Sequence, residues 1–570
     1  MKRNISIKLV LVTTILLKSS MLICQPKPFK KLEKFQEKAI NDLFEEWDSK
    51  KTPGASIAVI HNREIVLKHS FGMANLEHDI PLTSSSLFNI ASNSKQFTVF
   101  ALLNLAKENK LSIADDIRIH LPELPDFGHK ITIQHLMQHT HGIRGITPLL
   151  GMAGWNIEDV MTREAILNIL SNQKELDFEP GTNFSYNNSG YMLLAEIIER
   201  VSGSSFHDYL QTNIFEPLAM NATVLFEDNE KVIPKMASPY YFDGTSYKKG
   251  IRNFKDIVGN TGIRTSIEDL SKWINNYGTH QIGSTAIFQK MLQPTVLSNG
   301  EKLEYCFGLK KSHFKGRQVI SHGGAHVGYR SQMLRFPNDN VAIVVLSNNG
   351  SLDADGKAYK IAEILFGEKN DQNSNTIDAK SNIPEMNTES MDFSGLEGKF
   401  ELQPGFIMEF EQREEKLFIT ATGQGTFPLE TITNEKFKIS QIGAIIEFLK
   451  NGQGNYDSLR FNHGNQEMKG KRVVFQLEGS QLEAFVGSYH SPELRTTYEL
   501  KIEDEMLVAK HPRQEKTMLT PLRSDKFSGN TWFFGSLDFE RKGEKVMGFK
   551  ASSARAKNVF FKKLEGPNMY

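Results

Sequence analysis

Hydrophobic periodicity changes character once along this chain, across a polar stretch at residues 367–390 that is rich in Asn, Asp, Ser, Thr and Glu. Before it, two periods alternate. Apolar runs at 55–60 and 65–67 flank the polar turn His61-Asn62-Arg63, which predicts a β-hairpin. Phe97, Ala101 and Leu105, and later Leu194, Ile197, Ile198 and Val201 ahead of Gly203, recur at helical spacing. Strands return at 329–336 and 341–346, separated by Pro337-Asn338-Asp339-Asn340. Strands at both ends with helices between predict a sheet in which N- and C-terminal strands meet beside a helical region. After the polar stretch only two-residue alternation remains, as in Met408/Phe410 and Tyr498/Leu500/Ile502, the mark of antiparallel sheet.

This last third also repeats itself at a spacing of 89 to 91 residues. Gly398-Lys399-Phe400 matches Gly487-Ser488-Tyr489, Leu417-Phe418 matches Met506-Leu507, Glu435-Lys436-Phe437 matches Asp525-Lys526-Phe527, and Phe448 matches Phe539. The expected organisation is a mixed α/β unit at 28–366, a polar linker at 367–392, and two β modules at 393–478 and 479–570. Each module is long enough to close as a small barrel, which removes exposed strand edges.

Lys2, Arg3 and Lys8 precede a short apolar run at 9–17, so residues 1–24 read as a signal peptide cut before Gln25, and the protein as exported, periplasmic or secreted. The run is shorter than the roughly 20 residues of a spanning helix, and Ile23 is a poor fit for lipoprotein processing at Cys24. That cut leaves Cys306 alone, without a disulfide, and no later segment is apolar and long enough to span a bilayer. Lys+Arg and Asp+Glu are equal at 67 each, which leaves no basic surplus for nucleic acid.

Ser92-Asn93-Ser94-Lys95 places a hydroxyl and an amine one helical turn apart, at the start of the Phe97 helix. A serine needs a base within hydrogen-bond reach to become a nucleophile, and an amine kept neutral can serve. The pattern alone is weak, since Ser312-His313-Phe314-Lys315 repeats it in an expected hairpin turn, where it reads as solvated surface. Two further groups distinguish Ser92. Tyr186-Asn187-Asn188 lies in a polar loop before a helix, where a Tyr hydroxyl near a Lys ammonium is drawn toward phenolate and an Asn amide holds both Lys and a substrate carbonyl. His322-Gly323-Gly324 ends a strand, where glycines let a substrate lie against its edge.

With these three motifs in this order, the chain resembles the serine β-lactamase and penicillin-binding-protein superfamily, in its class C-like branch of esterases, D-aminopeptidases and DD-peptidases. The match runs from about residue 40 to 365. The resemblance implies an α/β (α+β) β-lactamase-like hydrolase domain with antiparallel sheet and helical region, followed by two antiparallel, barrel-like β modules. It implies Ser92 as the acylated nucleophile, Lys95 and Tyr186 as general acid and base, Asn188 as a substrate-orienting group, and the backbone N–H groups of Ser92 and Ala325 as the oxyanion hole. His322 stands where class C β-lactamases carry Lys, as a weaker positive charge, and Gly323 where a Thr or Ser hydroxyl is usual. Both departures favour esters, small amides or D-amino-acid peptides over β-lactams and peptidoglycan stems, which stay as the alternative. A catalytically idle scaffold presenting its β modules is a third reading. No cofactor and no metal are expected, because His139 and His141 lack an evident third ligand. The expected partner is a small-molecule or peptide substrate, and no oligomeric state follows.

Overall fold

The computed structural model describes residues 29–367, 393 and 395–565, apart from 157–158, 228–230, 252–253, 404–405, 423–425, 440–442 and 464–465. The signal peptide read at 1–24 and all but the first residue of the linker lie outside the described residues. Among the described residues no helix is long and apolar enough to cross a membrane.

The N-terminal unit is built on a six-stranded antiparallel sheet of β1 (Ala55–His61), β2 (Glu64–Phe71), β3 (Lys310–Phe314), β4 (Arg317–His326), β5 (Tyr329–Phe336) and β6 (Val341–Ser347). Its order is β3-β4-β5-β6-β1-β2, so the two ends of the unit meet where β1 pairs with β6, Ala55 opposite Ser347. The β1–β2 turn is held by Asn62 and Arg63, both at positive φ (51° and 73°), the geometry whose twist matches a two-residue hairpin. Both sheet faces are covered. Ile57, Val59, Ile343 and Val345 pack with Ile40 and Phe44 from α1 (Lys34–Asp42) and its continuation, and with Ile361 of the C-terminal helix. Ala58, Ile60, Val344 and Leu346 face the larger helical core. This two-sided burial is why 341–346 reads as an unbroken apolar run.

Five further helices position the site: α2 (Lys95–Lys107), α3 (Ile146–Met152), α4 (Asn188–Ser202), α5 (Ile267–Thr279) and α6 (Ala354–Phe366). α2 is buried around most of its circumference, so the Phe97/Ala101/Leu105 stripe is one of several apolar faces. α4 stops at Gly203, which adopts φ 73° as its left-handed cap.

Beyond the polar stretch lie a nine-stranded antiparallel sheet, from Gly398–Gln403 to Gln466–Arg472, and a closed eight-stranded barrel, from Gly487–Ser491 to Ala556–Lys563. The barrel closes where its first strand pairs with its last, Tyr489 opposite Lys563. The paired aromatic residues of the sequence repeat lie in the cores of these sheets: Phe448 contacts Phe400 and Phe437 at ring separations of 5.5 and 5.8 Å, and Phe539 contacts Tyr489 and Phe527 at 6.0 and 5.4 Å.

The two sheets differ in one respect that the repeat conceals. The first keeps its own apolar core, whereas the core of the closed barrel is continuous with that of the helical region. α3 lies against the barrel, and a Cβ on Gly151 would sit 2.8 Å from the Phe533 ring. Arg144, wholly buried, pairs with the equally buried Glu493 of the barrel at 2.6 Å. It also donates to Gln173 Oε1 and Asn558 O, while Glu493 accepts from the Lys174 N–H.

Candidate active site

Ser92 lies in a 3₁₀ turn, Ala91–Ser94, that leads directly into α2. Ala91 adopts φ 48°, a strained value for a residue with a Cβ, and is held there by Asn89 Oδ1, which accepts its N–H at 2.8 Å. The turn packs against β4. A Cβ on Gly324 would lie 2.3 Å from Ile90 O and 3.1 Å from Ala91 Cβ, so only glycine lets the serine turn approach the strand. Gly324→Ala is expected to cost about 1–3 kcal/mol of stability and about 100-fold in turnover through displacement of Ser92. Denaturant titration and steady-state kinetics on the same preparation check both. At Gly323 a Cβ would meet nothing closer than Gln332 Oε1 at 3.4 Å, so packing does not demand that glycine.

Lys95 is fully buried, and its Nζ lies 3.1 Å from Ser92 Oγ, 2.9 Å from Asn188 Oδ1 and 3.0 Å from the Asn260 carbonyl. Two of these partners only accept. A neutral amine therefore donates to Asn188 and Asn260 and turns its lone pair to the Ser92 hydroxyl, which donates to it. Desolvation first, and the Arg555 charge second, hold the Lys95 pKa well below its usual 10.5. Asn188 is placed by its neighbour: Asn187 caps α4, accepting from the Ser189 N–H and donating to Ile143 O.

Burial reverses two electrostatic expectations. Tyr186 is not drawn toward phenolate; desolvation pushes its pKa above 10, and the smaller opposing effects of Ser92 and Arg555 do not offset it. His322 carries no positive charge at neutral pH, because desolvation and then Lys95 push its pKa down to about 3. Its Nδ1 lies 2.6 Å from Gly323 O, which fixes the hydrogen on Nδ1 and leaves Nε2 as a buried acceptor with no partner among the described residues.

The end of β4 is open to the site. β3 pairs with β4 only as far as Lys310 opposite Ser321, so His322 to His326 have a neighbour on the β5 side alone. Ala325 lies in this free edge. The decoy Ser312 sits instead on β3, with Lys315 in the turn after it; on a strand, positions three apart face opposite ways, and the pair builds no site.

Several site residues escaped sequence reasoning. His139 is buried, accepts the Asn187 N–H on Nδ1, contacts Tyr305 Oη through Nε2 at 3.0 Å, and packs at a tilt with its ring centroid 4.3 Å from that of Tyr186. Both of its nitrogens are engaged in holding the Tyr186 loop. His141 packs against α4, where a Cβ on Gly190 would meet its Nε2 at 2.8 Å. Asn260 is bracketed by Gly259 and Gly262, both at positive φ, the one local sign of a close backbone approach. Arg555 arrives from the barrel, nearly 370 positions after Tyr186, and left no local signal.

A half-buried serine at hydrogen-bond distance from a buried amine whose neutral form burial favours, beside a protonated phenol and an open strand edge, defines a serine hydrolase. The chain belongs to the beta-lactamase family, whose profile, described as Beta-lactamase, matches residues 39–366. It is 27% identical to Penicillin-binding protein 4* of Bacillus subtilis (strain 168) over 451 residues, 76% of this chain and 98% of that one. It is 29% identical to a D-aminopeptidase of Gluconobacter oxydans (strain 621H) over 314 residues, spanning 55% of this chain and 59% of the relative's length. Among solved structures, the octameric penicillin-binding protein homologue from Pyrococcus abyssi superposes with a TM-score of 0.53 at 25% identity, covering 76% of this chain and 99% of that one.

Proposed function

We propose that the protein is an exported hydrolase that cleaves small amides, D-amino-acid peptides or esters through an acyl-enzyme on Ser92. The observation that carries the reading is the hydrogen-bond set of Lys95, which leaves an amine lone pair for the Ser92 proton. In acylation, Ser92 Oγ attacks the carbonyl carbon as its proton passes to Lys95 Nζ. The oxyanion is received by the backbone N–H groups of Ser92 and Ala325. Tyr186, protonated at neutral pH, gives its proton to the leaving nitrogen or oxygen as the C–N or C–O bond breaks, and recovers one from Lys95. Water then repeats the sequence on the acyl-enzyme. Asn188 orients Lys95 and the substrate carbonyl, and the His322 Nε2 acceptor suits a substrate N–H. The relatives that are D-aminopeptidases support the amide side of this range.

A fluorophosphonate probe is expected to label the wild-type protein once, with the adduct mapping to the Ser92 peptide by mass spectrometry. Labelling elsewhere, or none, would overturn the assignment. Nitrocefin is expected to stay intact, since its carboxylate lies on the leaving-nitrogen side, where the β4 edge offers neither a hydroxyl at 323 nor a cation at 322 to hold it; rapid hydrolysis would favour the β-lactamase reading.

A further inference from the structure

The closed barrel delivers a charge to the active site. Its last two strands, Lys545–Ser553 and Ala556–Lys563, are joined by the two residues Ala554 and Arg555. The tip is fixed to the hydrolase unit on three sides: Gly145 N–H donates to Arg555 O at 2.5 Å, Lys557 N–H to Asp177 Oδ1 at 2.7 Å, and Arg144 to Asn558 O at 3.1 Å. This holds the Arg555 guanidinium carbon 5.7 Å from the centroid of the Tyr186 ring.

The guanidinium has no anionic counterpart. It is exposed and forms no ion pair among the described residues. The charged and titratable groups acting on Lys95, Tyr186, His139 and His322 are one another, His141, Arg555 and Lys310; no carboxylate is among them. Arg555 meanwhile opposes protonation of Lys95. An arginine on a hairpin tied down by three contacts, facing buried groups among whose charged neighbours no carboxylate appears, is complementary to an anion brought by the substrate.

We propose that Arg555 anchors a carboxylate of the substrate, so that the hydrolase prefers acyl compounds bearing an anionic group near the scissile bond, with the second β barrel forming part of its specificity site. This rests on the Ser92 acyl-enzyme reading above. A free α-amine at that position meets like charge. D-Aminoacyl substrates with an uncapped N-terminus are therefore poor, and the same compounds capped by a dicarboxylic acid are good.

The test uses the full-length protein and p-nitrophenyl esters matched in chain length: the monoester of glutaric acid and the ester of valeric acid, with D-alanine p-nitroanilide as the cationic probe. The wild type is expected to prefer the glutarate over the valerate by about tenfold or more in kcat/KM, chiefly through KM, with the preference shrinking as salt is added. Arg555→Ala is expected to bring the ratio close to one, Arg555→Lys to restore part of it, and Arg555→Glu to shift selectivity toward the cationic probe. No preference in the wild type, or a ratio unchanged in Arg555→Ala and Arg555→Glu, would overturn the proposal. Fluorophosphonate labelling in parallel separates the two readings. Labelling of Ser92 with an unchanged ratio removes the anchor alone, whereas failure of wild-type labelling removes the acyl-enzyme reading.

Discussion

Lys95→Met will lower kcat/KM for acylation by about 10⁴-fold, the upper range for loss of a positioned general base, and Ser92→Ala will fall to the same floor. The physical reason is that burial favours the neutral form of the amine, and in that form both of its hydrogens are committed to Asn188 and Asn260. Methionine keeps the packing and removes the lone pair. The pH dependence supplies a signature that a merely structural role would not give. Only the neutral amine accepts the Ser92 proton, so the wild-type rate rises with pH through the Lys95 pKa and then levels off. Burial and Arg555 place that rise well below 10.5. Burial moves the other groups around Lys95 away from neutral pH: His322 down to about 3, His139 well below 6.5, and Tyr186 above 10. In Lys95→Met the rise will disappear. A variant that keeps wild-type turnover, or the same pH limb, would show that another group takes the proton.

Glu493→Ala will destabilise the protein by about 3–5 kcal/mol, the cost of stranding a buried charge. Arg144 is fully buried, and Glu493 at 2.6 Å is its nearest carboxylate among the described residues, with Glu175 and Asp177 at 3.8 and 4.0 Å. Deleting Glu493 also leaves the Lys174 N–H unpaired. Glu493→Gln, which preserves the hydrogen-bonding shape, will lose less. Replacing Arg144 and Glu493 together by Met will recover most of the difference, because no unpaired charge remains. Chemical denaturation of the full chain measures all four proteins. Equal stability of Glu493→Ala and wild type would mean that water or another carboxylate takes over the pairing. Because the Arg555 hairpin is tied to the same surface through Arg144 and Asp177, the destabilised variant will also lose kcat/KM.

The three motifs were readable because each is short and lies at a boundary of regular structure. Ser92 and Lys95 are three apart at the start of a helix, so local geometry already brings them together; Asn188 opens α4, and His322 sits where β4 runs past its neighbour. The strand Tyr329–Phe336 and the turn after it fall where alternation and Pro337-Asn338 place them. The repeat was legible for a similar reason, since its paired aromatic residues lie in the cores of two equivalent sheets. What remained hidden depends on burial. A residue's charge state is a property of its surroundings, so the protonated Tyr186 and the neutral His322 could not be read from their identities.

The order of motifs along the chain, the switch from mixed to two-residue periodicity, and the repeat by themselves determined a serine hydrolase unit followed by two antiparallel β units. The tertiary structure alone decided that these β units are unequal. The first keeps a separate core, while the second shares a core with the helical region and sets Arg555 beside Tyr186. No local pattern encodes that contact, because it arises from packing between elements hundreds of residues apart, where side-chain shape and the pairing of Arg144 with Glu493 select the docking that periodicity leaves open.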